Sequence, residues 1–132
     1  MEPRYLLDTN ICIYIRQRRP QEVLRRFHRL RPGEAALSVI TYGELLYGAA
    51  KSAHRAAAIE RLRQLVRLLP ALALPEGAGE TYGSIRAELE SKGKMIGNND
   101  LWIAALALEH DLTLLTRDRH FEKIAQLPRE SE

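Results

Sequence analysis

The sequence predicts a three-layer α/β fold with a four- to five-stranded, mainly parallel β-sheet. The chain has 132 residues, which fits a single domain over 1–132 and suffices for a hydrophobic core without disulfides. Short apolar runs alternate with longer segments of helical periodicity, and this alternation favours parallel strands joined by right-handed crossovers. In such a sheet, the ligand site lies beyond the carboxyl ends of the strands.

The first half of the chain contains two predicted strands and four predicted helices. The strands are Tyr5–Leu7 and Ala35–Ser38, and the helices cover 10–17, 20–30, 39–50 and 53–69. Pro20 suits a helix start, because its fixed φ is helical and no N–H is needed there. In the helix 53–69, apolar residues recur every three to four positions and predict one buried face. These residues are Ile59, Leu62, Leu65, Val66 and Leu69.

The second half continues the alternation. A third strand, Ala71–Leu74, lies between two prolines, and a helix over 77–92 ends at Gly93. The apolar segment 99–110 predicts a buried helix. A fourth strand, Leu112–Leu115, precedes a short helical turn from about 118.

The composition, with 45% hydrophobic and 28% charged residues, is ordinary for a soluble globular protein. We expect a cytoplasmic location on two further grounds. No apolar run reaches the roughly 18 residues of a membrane span, and the N-terminus lacks a signal-peptide core. Cys12 is the single cysteine and cannot form an internal disulfide, which agrees with a reducing compartment. We interpret it as a packed small side chain rather than a nucleophile.

The net charge is only +3, but the basic residues are concentrated. The segment 16–31 is rich in arginine and contains one acid, and the segment 51–67 is also basic. A basic surface around a local acidic pocket is typical of a metal-dependent nuclease, in which arginines hold phosphates and acids hold metal. Solvated helix faces or a surface for a protein partner are the alternatives.

Four acids occupy positions that meet at one edge of the predicted sheet. Asp8 directly follows the first strand, and Asp118 follows the fourth by three residues. Glu44 lies on the helix after the second strand, and Asp100 opens the apolar helix. Because the carboxyl ends of parallel strands share one edge, the four carboxylates are expected to line one pocket.

Each acid also has a purely structural interpretation. Asp8 and Asp118 suit helix N-caps, Asp100 suits the dipole of a first helical turn, and Glu44 stands three residues after Thr41 as in a capping box. Together, however, four such carboxylates would repel one another unless cations intervene. Oxygen ligands favour Mg²⁺.

Zinc is not favoured, because the histidines are scattered without metal-ligand spacing and are interpreted as surface residues. They are His28, His54, His110 and His120. Thr9, Asn10 and Thr116 stand beside the first and last acids and are predicted to support them by hydrogen bonds to a carboxylate or to water on the metal. Turn formation is the alternative role for these three residues.

Four blocks of sequence resemble the PIN-domain ribonucleases and, more closely, the VapC toxins of toxin–antitoxin pairs. They are LLDTNICIYI at 6–15, SVITYGELLYGA at 38–49, IGNNDLWIAALAL at 96–108 and LLTRDRHFEKI at 114–124. The blocks follow the family's order and spacing and cover nearly the whole chain. The resemblance implies a PIN-like α/β/α fold whose last strand, after Phe121, is short or absent.

The resemblance also implies a site and a reaction. Asp8, Glu44, Asp100 and Asp118 become the catalytic and metal-binding residues, and the fourth acid is the most variable in the family. The implied cofactor is one or two Mg²⁺ ions, with Mn²⁺ as a substitute. The implied chemistry is in-line hydrolysis of an RNA phosphodiester by an activated water, which leaves 5′-phosphate and 3′-OH ends.

The implied partners follow from the same family. They are an RNA substrate, above all tRNA and in the closest-looking subgroup the anticodon stem-loop of initiator tRNA, a VapB-like antitoxin, and a second copy of the chain, with a higher assembly once the antitoxin binds. Cleavage would inhibit translation. Several apolar residues are candidates for the dimer or antitoxin surface, with the core as the alternative: Tyr14, Tyr42, Leu46 and Tyr47.

Other functions fit less well. A phospho-receiver domain would need paired acids near the first strand and a lysine after the last, and 112–120 contains no lysine. An aspartate-nucleophile phosphatase would need D-x-D where the sequence has Asp8-Thr9-Asn10. An RNA-processing nuclease outside toxin–antitoxin biology and a non-catalytic PIN module that binds RNA or protein remain alternatives. The presence of all four acids argues against the non-catalytic module.

Overall fold

The computed structural model describes residues 2–131, with only the backbone of Ser131. Its strands are β1 (Tyr5–Leu7), β2 (Ala35–Ser38), β3 (Ala71–Leu72), β4 (Thr113–Thr116) and β5 (Arg129–Ser131). Its α-helices are α1 (Thr9–Gln17), α2 (Gln21–His28), α3 (Val39–Ala50), α4 (Arg55–Leu68), α5 (Glu76–Ser91) and α6 (Asn98–Glu109). A 3₁₀ helix covers Arg119–Lys123.

The five strands form one sheet in the order β3-β2-β1-β4-β5, and every neighbouring pair is parallel. This confirms the predicted parallel α/β architecture. The final strand is present but has only three residues. Strand β1 is central, with Leu7 paired to Leu37 of β2 and Leu115 of β4. The ends of β1, β2 and β4 therefore meet at one edge of the sheet.

The core has two parts, one on each face of the sheet. Because side chains alternate along a strand, Leu6 packs with α5, α6 and the 3₁₀ helix, whereas Leu7 packs with α1 to α4. The face of α4 predicted to be buried packs against the second of these parts. Helix α6 is buried on most sides, as its apolar sequence predicts. None of the helices between residues 2 and 131 is long and apolar enough to cross a membrane.

Two local predictions need correction. Strand β3 ends at Leu72 rather than Leu74, because its partner β2 ends at Ser38, where α3 begins. The capping box at Thr41 is also wrong. Ser38 caps α3 by accepting a hydrogen bond from the Thr41 N–H at 2.9 Å, and Thr41 is buried within the first turn.

The predicted ends of other elements are confirmed within one or two residues. Asp8 and Asp118 are N-caps, and Pro20 occupies the N-cap of α2. Gly93 has a φ of 67°, in the left-handed region that favours glycine, two residues beyond the end of α5.

Candidate active site

Asp8 lies at the end of the central strand and is held at both carboxylate oxygens. Oδ1 accepts a hydrogen bond from the Ile11 N–H at 2.8 Å, which caps α1. Oδ2 accepts a hydrogen bond from the hydroxyl of Thr116, at the end of β4. The side chain is only 3% exposed. Strand β1 therefore presents a fixed and almost fully buried carboxylate.

Thr116 also connects Asp8 to Asp118. The backbone N–H of Asp118 donates to the Thr116 hydroxyl oxygen at 2.9 Å, while that hydroxyl donates to Asp8. The Asp118 carboxylate in turn accepts the backbone N–H of His120 at 2.9 Å and lies 3.0 Å from its Nδ1. One threonine thus fixes the relative positions of the first and last acids.

Glu44 is positioned from the opposite side, by α1. The hydroxyl of Thr9 donates to Glu44 Oε1 at 2.6 Å and lies 3.2 Å from the hydroxyl oxygen of Thr41. Thr41 Oγ1 is in turn 3.3 Å from Ser38 Oγ. A row of hydroxyls at the starts of α1 and α3 therefore leads to the second acid.

Asp100 lies half-buried in the first turn of α6. Burial raises the pKa of its carboxyl, and the negative charges of Asp118 and Glu44 raise it further, whereas His120 acts in the opposite direction. These mutual effects place Asp100 within electrostatic range of the second and fourth acids. The structure thus brings all four predicted acids to the carboxyl edge of the sheet.

The environment of Asp8 disfavours its ionised form. Burial raises the pKa of its carboxyl from 3.8 to about 6, although the hydrogen bonds from Thr116 and Ile11 pull the pKa down. The charges of Asp100 and Asp118 add to the rise. A cation beside these carboxylates would relieve both the burial cost and the repulsion.

The four acids offer oxygen ligands for a hard cation without enclosing it on all sides. All four side chains offer carboxylate oxygens, the ligands that Mg²⁺ prefers. Within residues 2–131, no three acidic, histidine or cysteine side chains converge closely enough to form a ready-made cage. That arrangement is compatible with Mg²⁺, which keeps several waters and usually takes one or two carboxylates together with substrate phosphates.

The supporting residues differ in what they contact. Thr9 and Thr116 each donate a hydrogen bond to an acid, at Glu44 and Asp8 respectively. The Asn10 side chain is exposed and makes no hydrogen bond to any residue of the described range 2–131.

Sequence reasoning missed the position of His120. All four histidines are exposed, as predicted, but His120 also contacts Asp118. The available signal was the spacing, because an N-cap carboxylate accepts the N–H two residues later and so lies beside that residue. Cys12 is fully buried, and burial, with the nearby Asp8 charge, raises the pKa of its thiol far above the usual value. A nucleophilic role for Cys12 is therefore disfavoured.

Comparison with known proteins connects this geometry to a family. A family profile described as PIN domain matches residues 5–127. The chain is 40% identical over 129 residues to "Ribonuclease VapC2" of Haemophilus influenzae, covering 97% of each chain. It is 34% identical over 125 residues to "tRNA(fMet)-specific endonuclease VapC" of Shigella flexneri, covering 94% of each.

Solved structures agree. A chain of a DNA-bound VapBC complex from Salmonella typhimurium superposes with a TM-score of 0.91 at 33% identity, covering 99% of this chain and 98% of that one. A chain of VapBC-1 from nontypeable Haemophilus influenzae superposes with a TM-score of 0.88 at 36% identity, covering 96% of both.

Proposed function

The chain belongs to the PIN-domain family, among its VapC ribonucleases, and from that premise we propose that it hydrolyses RNA in a Mg²⁺-dependent reaction at Asp8, Glu44, Asp100 and Asp118. The observation that carries the proposal is the convergence of these carboxylates at one sheet edge, where burial and, to a smaller extent, the charges of Asp100 and Asp118 raise the pKa of Asp8. Mutual repulsion between buried or half-buried carboxylates has no structural benefit of its own. A divalent cation bound between the acids would offset this repulsion and explain why the acids lie together.

Some residues of the site position the acids, and the acids supply the negative charge that would hold the ion. Thr116 and the Ile11 N–H fix both oxygens of Asp8, and Thr9 fixes Glu44. Asp100, on the first turn of α6, completes the negative field. Mg²⁺, when bound, would lower the pKa of water and neutralise the charge that develops on the phosphate. Asp118 is held as an N-cap beside His120, so its contribution to metal binding is expected to be the smallest of the four.

The substrate we propose is tRNA, with the anticodon stem-loop of initiator tRNA as the first candidate. The support is the Shigella flexneri relative, whose name specifies tRNA(fMet) and which matches over 94% of both chains. Cleavage of initiator tRNA would inhibit translation, in the cytoplasm where tRNA acts. The chain would then be the toxin of a toxin–antitoxin pair.

The partners we propose are a VapB-like antitoxin and a second copy of the chain. The solved neighbours are VapBC complexes, some of them bound to DNA. Among the four apolar residues considered for an interface, Tyr47 is 65% exposed, whereas Tyr14, Tyr42 and Leu46 pack partly against the core. Tyr47 on α3 is therefore the residue of that group best placed for an interface.

The direct test is cleavage of total tRNA by purified protein freed of any partner, in Mg²⁺ and in EDTA. The test variant is Asp8→Asn. Asp111→Asn is the matched control, because Asp111 is exposed at the opposite edge of the sheet and its φ of 53° is one that asparagine tolerates. We expect Mg²⁺-dependent cutting by the parent and the control, and none by Asp8→Asn. Equal cutting by Asp8→Asn would refute the assigned site, and an inactive folded parent would refute tRNA as the substrate.

A further inference from the structure

A cleft of about 450 Å³ lies where α1 and α3 end and α4 begins. Its lining residues carry either a positive charge, a hydroxyl or no large side chain: Arg16, Gly48, Ala49, Ser52, Ala58 and Arg61. None of them belongs to the acidic site described above. The cleft is therefore a separate feature of the surface.

Helix geometry connects this cleft to the acids. Arg16 is seven residues after Thr9 on α1, and Gly48 is four residues after Glu44 on α3, so each pair shares one helix face. Thr9 and Glu44 are in contact at 2.6 Å. The seam between the two helices therefore runs from the acidic site to the cleft, over about 6 to 10 Å at 1.5 Å per residue. A phosphate in the cleft would therefore belong to a nucleotide next to the cleaved bond, and not to the cleaved bond itself.

The charges of the cleft favour an anion. Arg16 and Arg61 are exposed, and neither forms an ion pair with any side chain that the structure describes. A second cavity, of about 350 Å³ at the amino edge of the sheet, also contains two arginines, but large apolar side chains, including Phe27, Leu30 and Leu69, line it as well. The Arg16–Arg61 cleft has no such side chain, which makes it a poor receptor for the apolar residues of a peptide.

Gly48 leaves room for a ligand in the cleft, as other helical glycines would at their own positions, Gly83 among them. Gly48 lies inside α3, where glycine is less favourable than alanine. A Cβ added there would meet no atom within 4 Å, so packing in the protein does not require glycine. Glycine does leave the helix backbone open to close approach by a ligand.

We infer that this cleft binds a phosphate of the RNA strand next to the one that is cleaved, through the guanidinium groups of Arg16 and Arg61. The inference rests on the proposed function, in that the substrate is RNA. Arginine suits the role because its fork of N–H groups matches two phosphate oxygens. The cleft thereby contributes to affinity and register, while the four acids carry the chemistry.

The first test compares Arg16→Gln and Arg61→Gln with Arg63→Gln. Arg63 is an exposed arginine on the same helix as Arg61, but it does not line the cleft. The readouts are the kinetics of Mg²⁺-dependent tRNA cleavage and the binding, in EDTA, of a fluorescein-labelled single-stranded RNA of mixed sequence. We expect each cleft variant to raise KM and Kd about tenfold with kcat unchanged. The slope of log K against log salt should fall by about 0.7 for a lost phosphate contact, and Arg63→Gln should change little.

The second test introduces a negative charge into the lining of the cleft. Gly48→Glu places a carboxylate in the cleft that Arg16 and Arg61 also line. Gly83→Glu is the matched control, because Gly83 also lies inside a helix with open space at its Cβ. We expect Gly48→Glu to melt at or above the parent temperature yet to bind the labelled RNA at least tenfold more weakly. Gly83→Glu should bind like the parent.

The outcomes separate the two proposals. A parent that cuts no RNA refutes the nuclease function, while the EDTA binding series still decides whether the cleft holds RNA. Parent-like KM, Kd and salt slope in both arginine variants would overturn the cleft assignment. Two other results would also overturn it. In the first, inorganic phosphate raises the melting temperature of the parent but not of the arginine variants, while all of them bind RNA equally. In the second, the variants bind a co-purifying protein partner more weakly, while their RNA binding stays intact.

Discussion

Thr9 Oγ1 donates a 2.6 Å hydrogen bond to Glu44 Oε1 across 35 residues of sequence. The bond joins the first turn of α1 to the second turn of α3 at the edge where the acids meet. It gives Glu44 one defined orientation, although the side chain has three rotatable bonds and is only partly buried.

Thr9→Val should therefore slow cleavage more than it affects stability. Valine keeps the shape and loses the hydroxyl, so Glu44 becomes free to rotate away from the other acids. We expect single-turnover cleavage to slow about tenfold, the equivalent of one charge-assisted hydrogen bond. Thr81→Val is the control, because Thr81 donates a 3.3 Å hydrogen bond to the exposed Glu109 far from the acids. Equal rates in Thr9→Val and the parent would show that Glu44 needs no such support.

Asp8→Asn should stabilise the metal-free protein at neutral pH. The folded pKa is about 6 and the unfolded value is 3.8, so the native state holds a proton that the unfolded chain has released between these pH values. Stability therefore falls as pH rises from about 4 to 6, by on the order of 3 kcal/mol. Asparagine removes this loss. In EDTA, urea melts should show the variant more stable than the parent at pH 7.5 and equal to it near pH 3.5.

A variant that is less stable at pH 7.5 would contradict this prediction. It would mean that the ionised Asp8 is needed to accept the hydrogen bonds from Thr116 and Ile11, and that these bonds outweigh the cost of burial.

Thr116→Val should destabilise the fold and raise the pKa of Asp8 further. The lost hydroxyl serves two groups, Asp8 Oδ2 and the Asp118 N–H, in a residue that is 3% exposed. Stranding buried polar groups costs about 1–3 kcal/mol. Because the Thr116 bond lowers the pKa of Asp8, its removal should extend the decline of metal-free stability, which still begins near pH 4, to a higher pH. Thr116→Ser keeps the hydroxyl and should behave like the parent in the same pH series of urea melts.

Magnesium should raise the melting temperature of the protein, because it binds the four acids in the native state. Ligand binding stabilises the native state by RT ln(1 + [L]/Kd), which is about 2.7 kcal/mol at a hundredfold excess over Kd. Differential scanning calorimetry in increasing Mg²⁺ should show this rise in the parent and in Asp111→Asn, and little of it in Asp100→Asn. A rise of the same size in Asp100→Asn would place the ion elsewhere.

The cleavage products should carry 5′-phosphate and 3′-OH ends. A water activated beside the carboxylates does not use the ribose 2′-OH, so no cyclic intermediate forms. Ligation with an enzyme that needs a 5′-phosphate, or mass spectrometry of a cut tRNA, reads the ends directly. Fragments ending in a 2′,3′-cyclic phosphate would rule out the proposed chemistry.

Most of the fold followed from local patterns in the sequence. Buried strands appear as short apolar runs, and the positions of Asp8 and Asp118 just after such runs already place them at one edge. What local patterns do not contain is the pairing of side chains between distant elements. Thr9 follows Asp8 in sequence yet bonds Glu44, because the hydroxyl points from α1 toward α3.

The start of α3 shows a different limit. Both Ser38 and Thr41 are residues that cap helices, and only the end of β2 in the sheet decides that the helix begins after Ser38. The contact of His120 with Asp118 likewise depends on the 3₁₀ turn that follows β4.

The central strand β1 connects both parts of the core to the acidic site. Leu6 belongs to one half of the core and Leu7 to the other, and the next residue is the buried Asp8. Neither half can melt without releasing the strand that carries this carboxylate. Heat or denaturant should therefore leave no partly unfolded species that still cuts RNA, and inactivation should coincide with the loss of tertiary structure. Such an enzyme is either fully folded and active or unfolded and inactive.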